Sequence, residues 1–563
     1  MLPPGVESEI KSLWNRFWSG GIANPLTAIE QITYLIFLKR IEDEDNRRAE
    51  ENSAYRSYFD GRDDPHRWSV LKNWDSRSRL ELLRGDIFDW LKTLNGGNAD
   101  RMRDAICLIP SDNLLQAAME SIDRLFDTNR YEREDILGDI YEELLSEVSS
   151  AGKNGQFRTP RHIIRAICEL VDVRPGDRVI DPACGTGGFL FNAYHYILAS
   201  HTNRDSLQFT PDGTPFNTFG DLLTPEQEAA LHSKEHFNGY DFDRTMSRLG
   251  WMNMLLHHLD NSEINYADTL GNRFNEEMVK PLRNGQKAGF DVALANPPFT
   301  GNIDKSDIGQ TLNHLGTTKT ELLFVELILQ LLKTGGRAGV IVPEGLLFGS
   351  TRAHLALRKQ LVTENQLEAV ISLPGGVFQP YTGVKTSILL FTKGGSTREV
   401  WFYEVQEDGQ ALNAKRTERP EKNDLWDLIL KYRLRQAANY REIQPPAFVD
   451  EATWQEWRRF TPAERSLRYA QPKEFGELQQ EEGAIKVFQG LKTEEIKTAK
   501  DWTATLEELA ANDYNLSAGR YKPEALAAVH HDPPAVLIQS LLKDEAKITE
   551  GLRELLDMVE GKR

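Results

Sequence analysis

The chain predicts an α/β fold, a parallel sheet with helices on its faces, set between a helical amino-terminal domain and a helical carboxy-terminal tail. Three observations predict it. From about residue 156 to 395, short apolar runs alternate with helix-length segments. The first of these runs opens onto a glycine-rich turn. Both flanks instead carry apolar residues at three- and four-residue steps. At 563 residues the chain exceeds what one hydrophobic core can hold, so two or three domains are expected.

Residues 1–150 form the helical amino-terminal domain. Ile29, Ile32, Ile36 and Phe37 fall on one helical face, as do Ile136, Ile140, Leu144 and Val148. The polar stretch Ser149–Gly155 breaks the pattern and reads as a linker. Residues 156–395 are the α/β domain. Its strand candidates are Arg178–Ile180, Phe237–Tyr240, Ile264–Tyr266, Asp291–Ala295, Gly339–Val342, Leu367–Ser372 and Thr386–Phe391. A polar insertion without a clear period, roughly 199–234, separates the first two.

Residues 396–563 are charged and irregular until a terminal helix at 533–560. That helix carries Ile538, Leu541, Ile548, Leu552, Leu555 and Val559 in a seam interrupted by Glu545. The seam suits a helix of a partner; the other reading is that it folds back onto its own chain.

Composition excludes several classes. The longest strongly apolar stretch, Leu322 to Leu332, contains Glu326 and Gln330 and is too short to span a bilayer. The amino terminus lacks the basic-then-apolar layout of a secretion signal. Three cysteines, Cys107, Cys168 and Cys184, make no disulfide framework, and a cytoplasmic location is expected. The net charge of −18 is unevenly spread: residues 151–395 hold 23 Lys and Arg against 25 Asp and Glu, leaving −16 to the flanks. Acidic flanks suit a module that reaches nucleic acid through a basic partner; plain solubility is the other reading.

The first strand runs into Asp181-Pro182-Ala183-Cys184-Gly185-Thr186-Gly187-Gly188. Strand, glycine turn and helix let a nucleotide-like ligand approach backbone N–H groups. The expected reason for the glycines is that a Cβ would fill the ligand's space. Leu190 stands where a dinucleotide fingerprint needs its third glycine, which disfavours a dehydrogenase. An acid here suits S-adenosylmethionine: Asp181 can pair with the ammonium of its methionine end. Asp241, closing the second strand, can hold the ribose hydroxyls, and Asp268 can accept from the adenine amino group. Taken singly each acid reads as a cap or loop residue; at successive carboxyl ends of parallel strands they converge on one edge. The interval from Asp181 to Asp241 is 60 residues, long because of the insertion.

The strand ending at Ala295 delivers Asn296-Pro297-Pro298-Phe299 to that edge. An exocyclic base amine is a poor nucleophile because its lone pair is delocalised into the ring. The Asn296 amide oxygen and the Pro297 carbonyl can each accept one amine hydrogen, localising the lone pair toward a methyl donor. Pro297 and Pro298 stiffen the backbone, and Phe299 offers a face for an extruded base. An isolated NPPF would read as a turn; its position after the glycine turn makes it the catalytic candidate.

DPACGTGG followed by NPPF resembles the paired cofactor and catalytic motifs of amino-methylating DNA methyltransferases, in the order of the gamma arrangement. Gln156-Phe157-Arg158-Thr159-Pro160 resembles the segment that closes over the methionine end of the cofactor in type I restriction-modification M subunits. IEQITYLIFLKR near the start and Tyr514-Asn515-Leu516 resemble that subfamily too. The resemblance covers nearly the whole chain, most densely 156–395. It implies an S-adenosylmethionine-dependent methyltransferase core of Rossmann-like type. The cofactor would be bound by Phe157, Thr159, Pro160, Asp181, Ala183, Gly185, Thr186, Gly187, Gly188, Asp241 and Asp268, with catalysis by Asn296, Pro297, Pro298 and Phe299. It also implies N6-adenine methylation of double-stranded DNA within a complex. The partners would be a specificity (S) subunit that reads sequence, a second copy of M and a restriction (R) subunit.

Rival readings are a solitary N4-cytosine or N6-adenine methyltransferase and a non-catalytic scaffold of a DNA complex. Phe378 or Tyr381 could supply a second stacking ring, though each suits turn packing as well. No metal is expected: His232-Ser233-Lys234-Glu235-His236 matches a zinc-peptidase spacing but lies at the end of the polar insertion. Gly152-Lys153 lacks the rest of a P-loop, and Cys184 reads as a small packing residue.

Overall fold

The computed structural model describes residues 4–51, 54–93, 101–126, 140–141, 144, 159–210, 214–257, 259, 261–436, 445–449, 454–455 and 500–522. The expected linker, the residues Gln156, Phe157 and Arg158, and the terminal helix at 533–560 lie outside the described residues.

The strands in chain order are β1 (Val179–Asp181), β2 (Gln208–Phe209), β3 (Pro215–Phe216), β4 (Phe237–Asp241), β5 (Glu263–Tyr266), β6 (Phe290–Ala295), β7 (Leu332–Pro343), β8 (Gln366–Ser372), β9 (Thr386–Thr392), β10 (Glu399–Glu404), β11 (Asp408–Gln410), β12 (Glu418–Asn423) and β13 (Asp501–Thr505). Nine form one sheet in the order β13-β10-β8-β9-β7-β6-β1-β4-β5. From β7 to β5 all neighbours are parallel. The sheet is mixed, however. β9 runs antiparallel to both β7 and β8, because the Leu373–Lys385 connection returns the chain directly instead of crossing over through a helix.

The sheet also crosses the expected boundary at 395. β10 pairs with β8 in parallel, and β13 closes that edge antiparallel to β10. The helix Leu425–Gln436 belongs to the same body: Arg433 reaches Glu169 at 3.2 Å, on the buried helix Arg161–Val171. The stretch after 395 therefore builds core structure, which its charged composition hid.

Helices cover both faces. Arg161–Val171, Gly188–Ser200 and Arg244–Leu256 share one apolar core with the amino-terminal helices; Thr320–Leu331 and Arg352–Thr363 line the other. In the amino-terminal helix Pro25–Glu51, Ile29, Ile32, Ile36 and Phe37 are all buried, as the helical spacing predicts. Of the second predicted stripe only Ile140 and Leu144 are described, and both are buried. The insertion holds the β2–β3 hairpin and the helix Pro225–Leu231, opened by a capping box between Thr224 and Gln227.

The amino-terminal helices dock on helix Arg244–Leu256. Phe37 meets Trp251 edge-on at 5.3 Å, and Arg248 Nη1 lies 2.5 Å from Glu30 Oε1 while its Nε donates to the Arg101 carbonyl at 3.0 Å.

Candidate functional site

Because β6, β1, β4 and β5 run parallel side by side, their carboxyl ends share one edge. β1 is where the order reverses: the chain builds β4 and β5 on one side, then crosses to lay β6 on the other. Ligands of doubly wound sheets bind in the crevice at such a point. Along that edge Asn296 follows β6, Asp181 and Asp241 are the last residues of β1 and β4, and Asp268 comes just after β5.

The turn after β1 is held by its own polar groups. Ala183 N–H donates to Asp181 Oδ1 at 3.0 Å, Gly185 N–H to Asp241 Oδ2 at 2.9 Å, and Asp243 N–H to Asp241 Oδ1 at 2.8 Å. Asp241 thus ties the glycine turn to β4 besides offering its remaining lone pairs to a ligand. Gly185 and Gly187 sit at φ +52° and +77°, so the turn needs them for left-handed backbone. A Cβ on Gly185 would meet nothing within 4 Å, and one on Gly187 only ordinary contacts at 3.5 Å or more. The protein itself leaves room at both; conformation, not crowding by the chain, is what demands glycine. Gly187 caps the helix that Gly188 begins, and the Thr186 carbonyl accepts from Asn253 at 2.9 Å.

Among the described residues no Lys or Arg pairs with Asp181, Asp241 or Asp268. Asp181 is only 1% exposed, and burial, aided by the neighbouring Asp241, pushes its carboxyl up to about 8. Burial also raises Asp241 and Asp268. A buried acid that prefers to be neutral ionises when a cation arrives beside it, which is the environment an ammonium-bearing ligand requires. The Cys184 thiol is pushed up by burial and by the two acids, so it is an inert packing group.

At the end of β6 the Asn296 amide is held from one side. Its Nδ2 donates to Thr159 Oγ1 at 2.9 Å, and its Oδ1 is buried with no hydrogen-bond partner among the described residues. Pro160 caps the helix Arg161–Val171, which fixes Thr159 beside it. Pro298 is exposed, but Phe299 is buried and meets Phe378 edge-on at 5.1 Å. The expected open stacking face of Phe299 is therefore packed against the protein, because alternation along the turn points it inward while Pro298 faces out. Phe378 is buried in that same contact, and Tyr381 is half-buried.

Sequence reasoning missed four features. Phe242, directly after Asp241, is 70% exposed, its ring 6.4 Å from the exposed Tyr266 that ends β5; an exposed aromatic beside a ligand-facing acid was the available signal. Gly250 lets helix Arg244–Leu256 abut the glycine turn, since a Cβ there would lie 2.8 Å from the Gly185 carbonyl oxygen. Thr320 Oγ1 and Glu321 Oε2 are further buried oxygens without partners among the described residues, on a segment whose Thr320 N–H bonds Gly301 O at 3.1 Å. The fourth is the bond between Thr159 and Asn296, 137 residues apart in the chain. The HxxEH spacing forms no helical pair: residues 232–236 are a turn, with His232 exposed and His236 buried.

Residues 132–477 match the N-6 DNA Methylase family and residues 6–122 the HsdM N-terminal domain. The chain is 30% identical over 417 residues to the type I restriction enzyme EcoEI methylase subunit of Escherichia coli, covering 71% of this chain and 77% of that one. It is 32% identical over 304 residues to the EcoKI methylase subunit of Escherichia coli K12, where the alignment spans 52% of each. Among solved structures, a modification subunit of a type I restriction enzyme from Vibrio vulnificus superposes with TM-score 0.59 at 23% identity, covering 77% of this chain and 90% of that one. A type I restriction-modification methyltransferase subunit from Streptococcus thermophilus does so with TM-score 0.60 at 16% identity, over 92% and 99%. At these identities the structures show a shared fold.

Proposed function

The chain belongs to the N-6 DNA methylase family, and from that membership we propose that it is the modification subunit of a type I restriction-modification assembly, methylating N6 of adenine in double-stranded DNA. S-adenosylmethionine, the family's methyl donor, brings an already activated methyl group. The residues fit it: a buried acid awaiting a cation, a left-handed glycine turn, and two more acids along the same edge.

The observation that carries the reading is Asn296 Oδ1. A buried acceptor without a partner costs about 1–3 kcal/mol, and its position after β6 supports a role in accepting a base N–H. Asn296 then accepts a hydrogen bond from the amine, with the Pro297 carbonyl as the second acceptor. Pro298, exposed beside them, lines the approach of an extruded base. Orientation supplies most of the acceleration. When S-adenosylmethionine is bound, its ammonium would be held by Asp181, and its ribose and adenine by Asp241 and Asp268.

The acidic flanks support delivery of DNA by a more basic partner, which we assign to a specificity subunit; a second copy of this chain and a restriction subunit complete the proposed assembly. The test is nucleoside analysis of duplex DNA treated with the chain and S-adenosylmethionine, with and without a specificity subunit. N6-methyladenine that depends on that subunit is expected. N4-methylcytosine would overturn the base, and efficient site-specific methylation by the chain alone would overturn the assembly.

A further inference from the structure

A primary amide works as an acceptor only when its oxygen faces the donor, and rotating it by half a turn presents N–H to N–H. β6 and the two prolines fix the Asn296 backbone, but neither chooses between these two orientations. Thr159 does. Its hydroxyl takes the Asn296 Nδ2 hydrogen at 2.9 Å and leaves Oδ1 at the buried position that has no partner among the described residues. Thr159 is 7% exposed and precedes Pro160, whose carbonyl receives the N–H groups of Ile163 and Ile164 at 3.0 and 3.1 Å. The hydroxyl is thus mounted on a helix start, not on a free loop.

We propose that Thr159 is a positioning residue for methyl transfer, setting the Asn296 amide with its oxygen toward the target amine. It does so besides any contact with the methyl donor, and the proposal rests on the reading of Asn296 as the acceptor. A segment resembling a cofactor lid thereby also sets the acceptor for the other substrate.

The experiment uses the full chain with its specificity subunit and duplex DNA, comparing Thr159→Val, Thr159→Ser and Asn296→Ala. Single-turnover methyl transfer at saturating S-adenosylmethionine is measured beside S-adenosylmethionine affinity by calorimetry. Thr159→Val keeps the shape and removes the hydroxyl, so the transfer rate should fall about three- to tenfold, the range a net hydrogen bond carries. Affinity should fall less than the rate does, and Thr159→Ser should restore the rate. If the valine variant melts early, Thr159→Ala removes the same hydroxyl with less bulk and carries the same expectation. An undiminished rate overturns the proposal. So does a serine variant as slow as the valine one, or a loss expressed wholly as weaker cofactor binding. Asn296→Ala separates the two failures. If it still methylates, the reading of the site is wrong; if it is inactive while Thr159→Val is fully active, only the role of Thr159 falls.

Discussion

Replacing Asp181 by asparagine should make the protein more stable and unable to hold its cofactor, and the two effects have one cause. The carboxyl titrates near 3.8 in an unfolded chain and near 8 in the fold, because burial, then the charge of Asp241, disfavours its ionised form; the N–H of Ala183 only partly opposes them. The folded state therefore binds this proton more tightly. The stability it contributes is complete below about pH 4 and is lost as pH rises to 8. By pH 7 the loss spans three pH units, about 4 kcal/mol at most. Asparagine is uncharged at every pH and keeps an oxygen for Ala183 N–H, so it escapes that loss. Thermal melts from pH 6 to 8 should show the variant ahead of the parent, with the gap widening by up to about 1.4 kcal/mol per pH unit. Calorimetry in the same buffers should show S-adenosylmethionine affinity of the parent rising between pH 6 and 7.5, and no measurable binding by the variant. A parent as stable as the variant at pH 8, or a variant that binds normally, would refute the reasoning.

Three further outcomes follow from the geometry. Asn296→Ala should cut methyl transfer by about 10²–10³ and leave S-adenosylmethionine affinity within a few-fold, read by methylation assay and calorimetry; full activity would remove Asn296 from the chemistry. Gly250→Ala, which at an exposed helix site gains about 1 kcal/mol, should here lower the melting temperature and weaken cofactor binding, since its Cβ meets the Gly185–Gly187 backbone at 2.8–3.3 Å. Arg248→Ala leaves Glu30 with the Tyr34 hydroxyl in a half-buried interface and should cost about 1.5–3 kcal/mol; protease cleavage between the helical domain and the core should speed up, and an unchanged digest would mean the bridge holds nothing.

How much of this was legible in the sequence depends on how local each signal is. β1, β4, β5 and β6 are short apolar runs that end in acids or in Asn-Pro-Pro, and the edge they form follows from right-handed crossovers. The positions of Asp181, Asp241, Asp268 and Asn296 were therefore readable in advance. β10 and β13 were not. Glu399–Glu404 has charged ends, and Asp501–Thr505 pairs with it across almost a hundred intervening residues. The reversed direction of β9 was hidden too, since an apolar run carries no polarity. The burial of Phe299 was not readable, because the aromatic is visible in sequence while the inward turn of its ring is not. The Thr159–Asn296 bond left no trace at all, for no spacing rule connects two polar residues through a fold.

The late pairing of β10 with β13 has a consequence for how the protein is made. β10 carries Val400, Trp401, Phe402 and Tyr403, all buried in the finished sheet. Its outer edge is closed by residues translated 97 positions after Glu404. At about 5–20 residues per second, the ribosome leaves that edge uncovered for roughly 5–20 s. An unpaired, aromatic strand edge is a template for joining other chains. Fast overexpression crowds many such nascent edges together, so aggregates of this protein should be rich in chains stalled or truncated between residues 404 and 501, and slower synthesis should recover soluble protein.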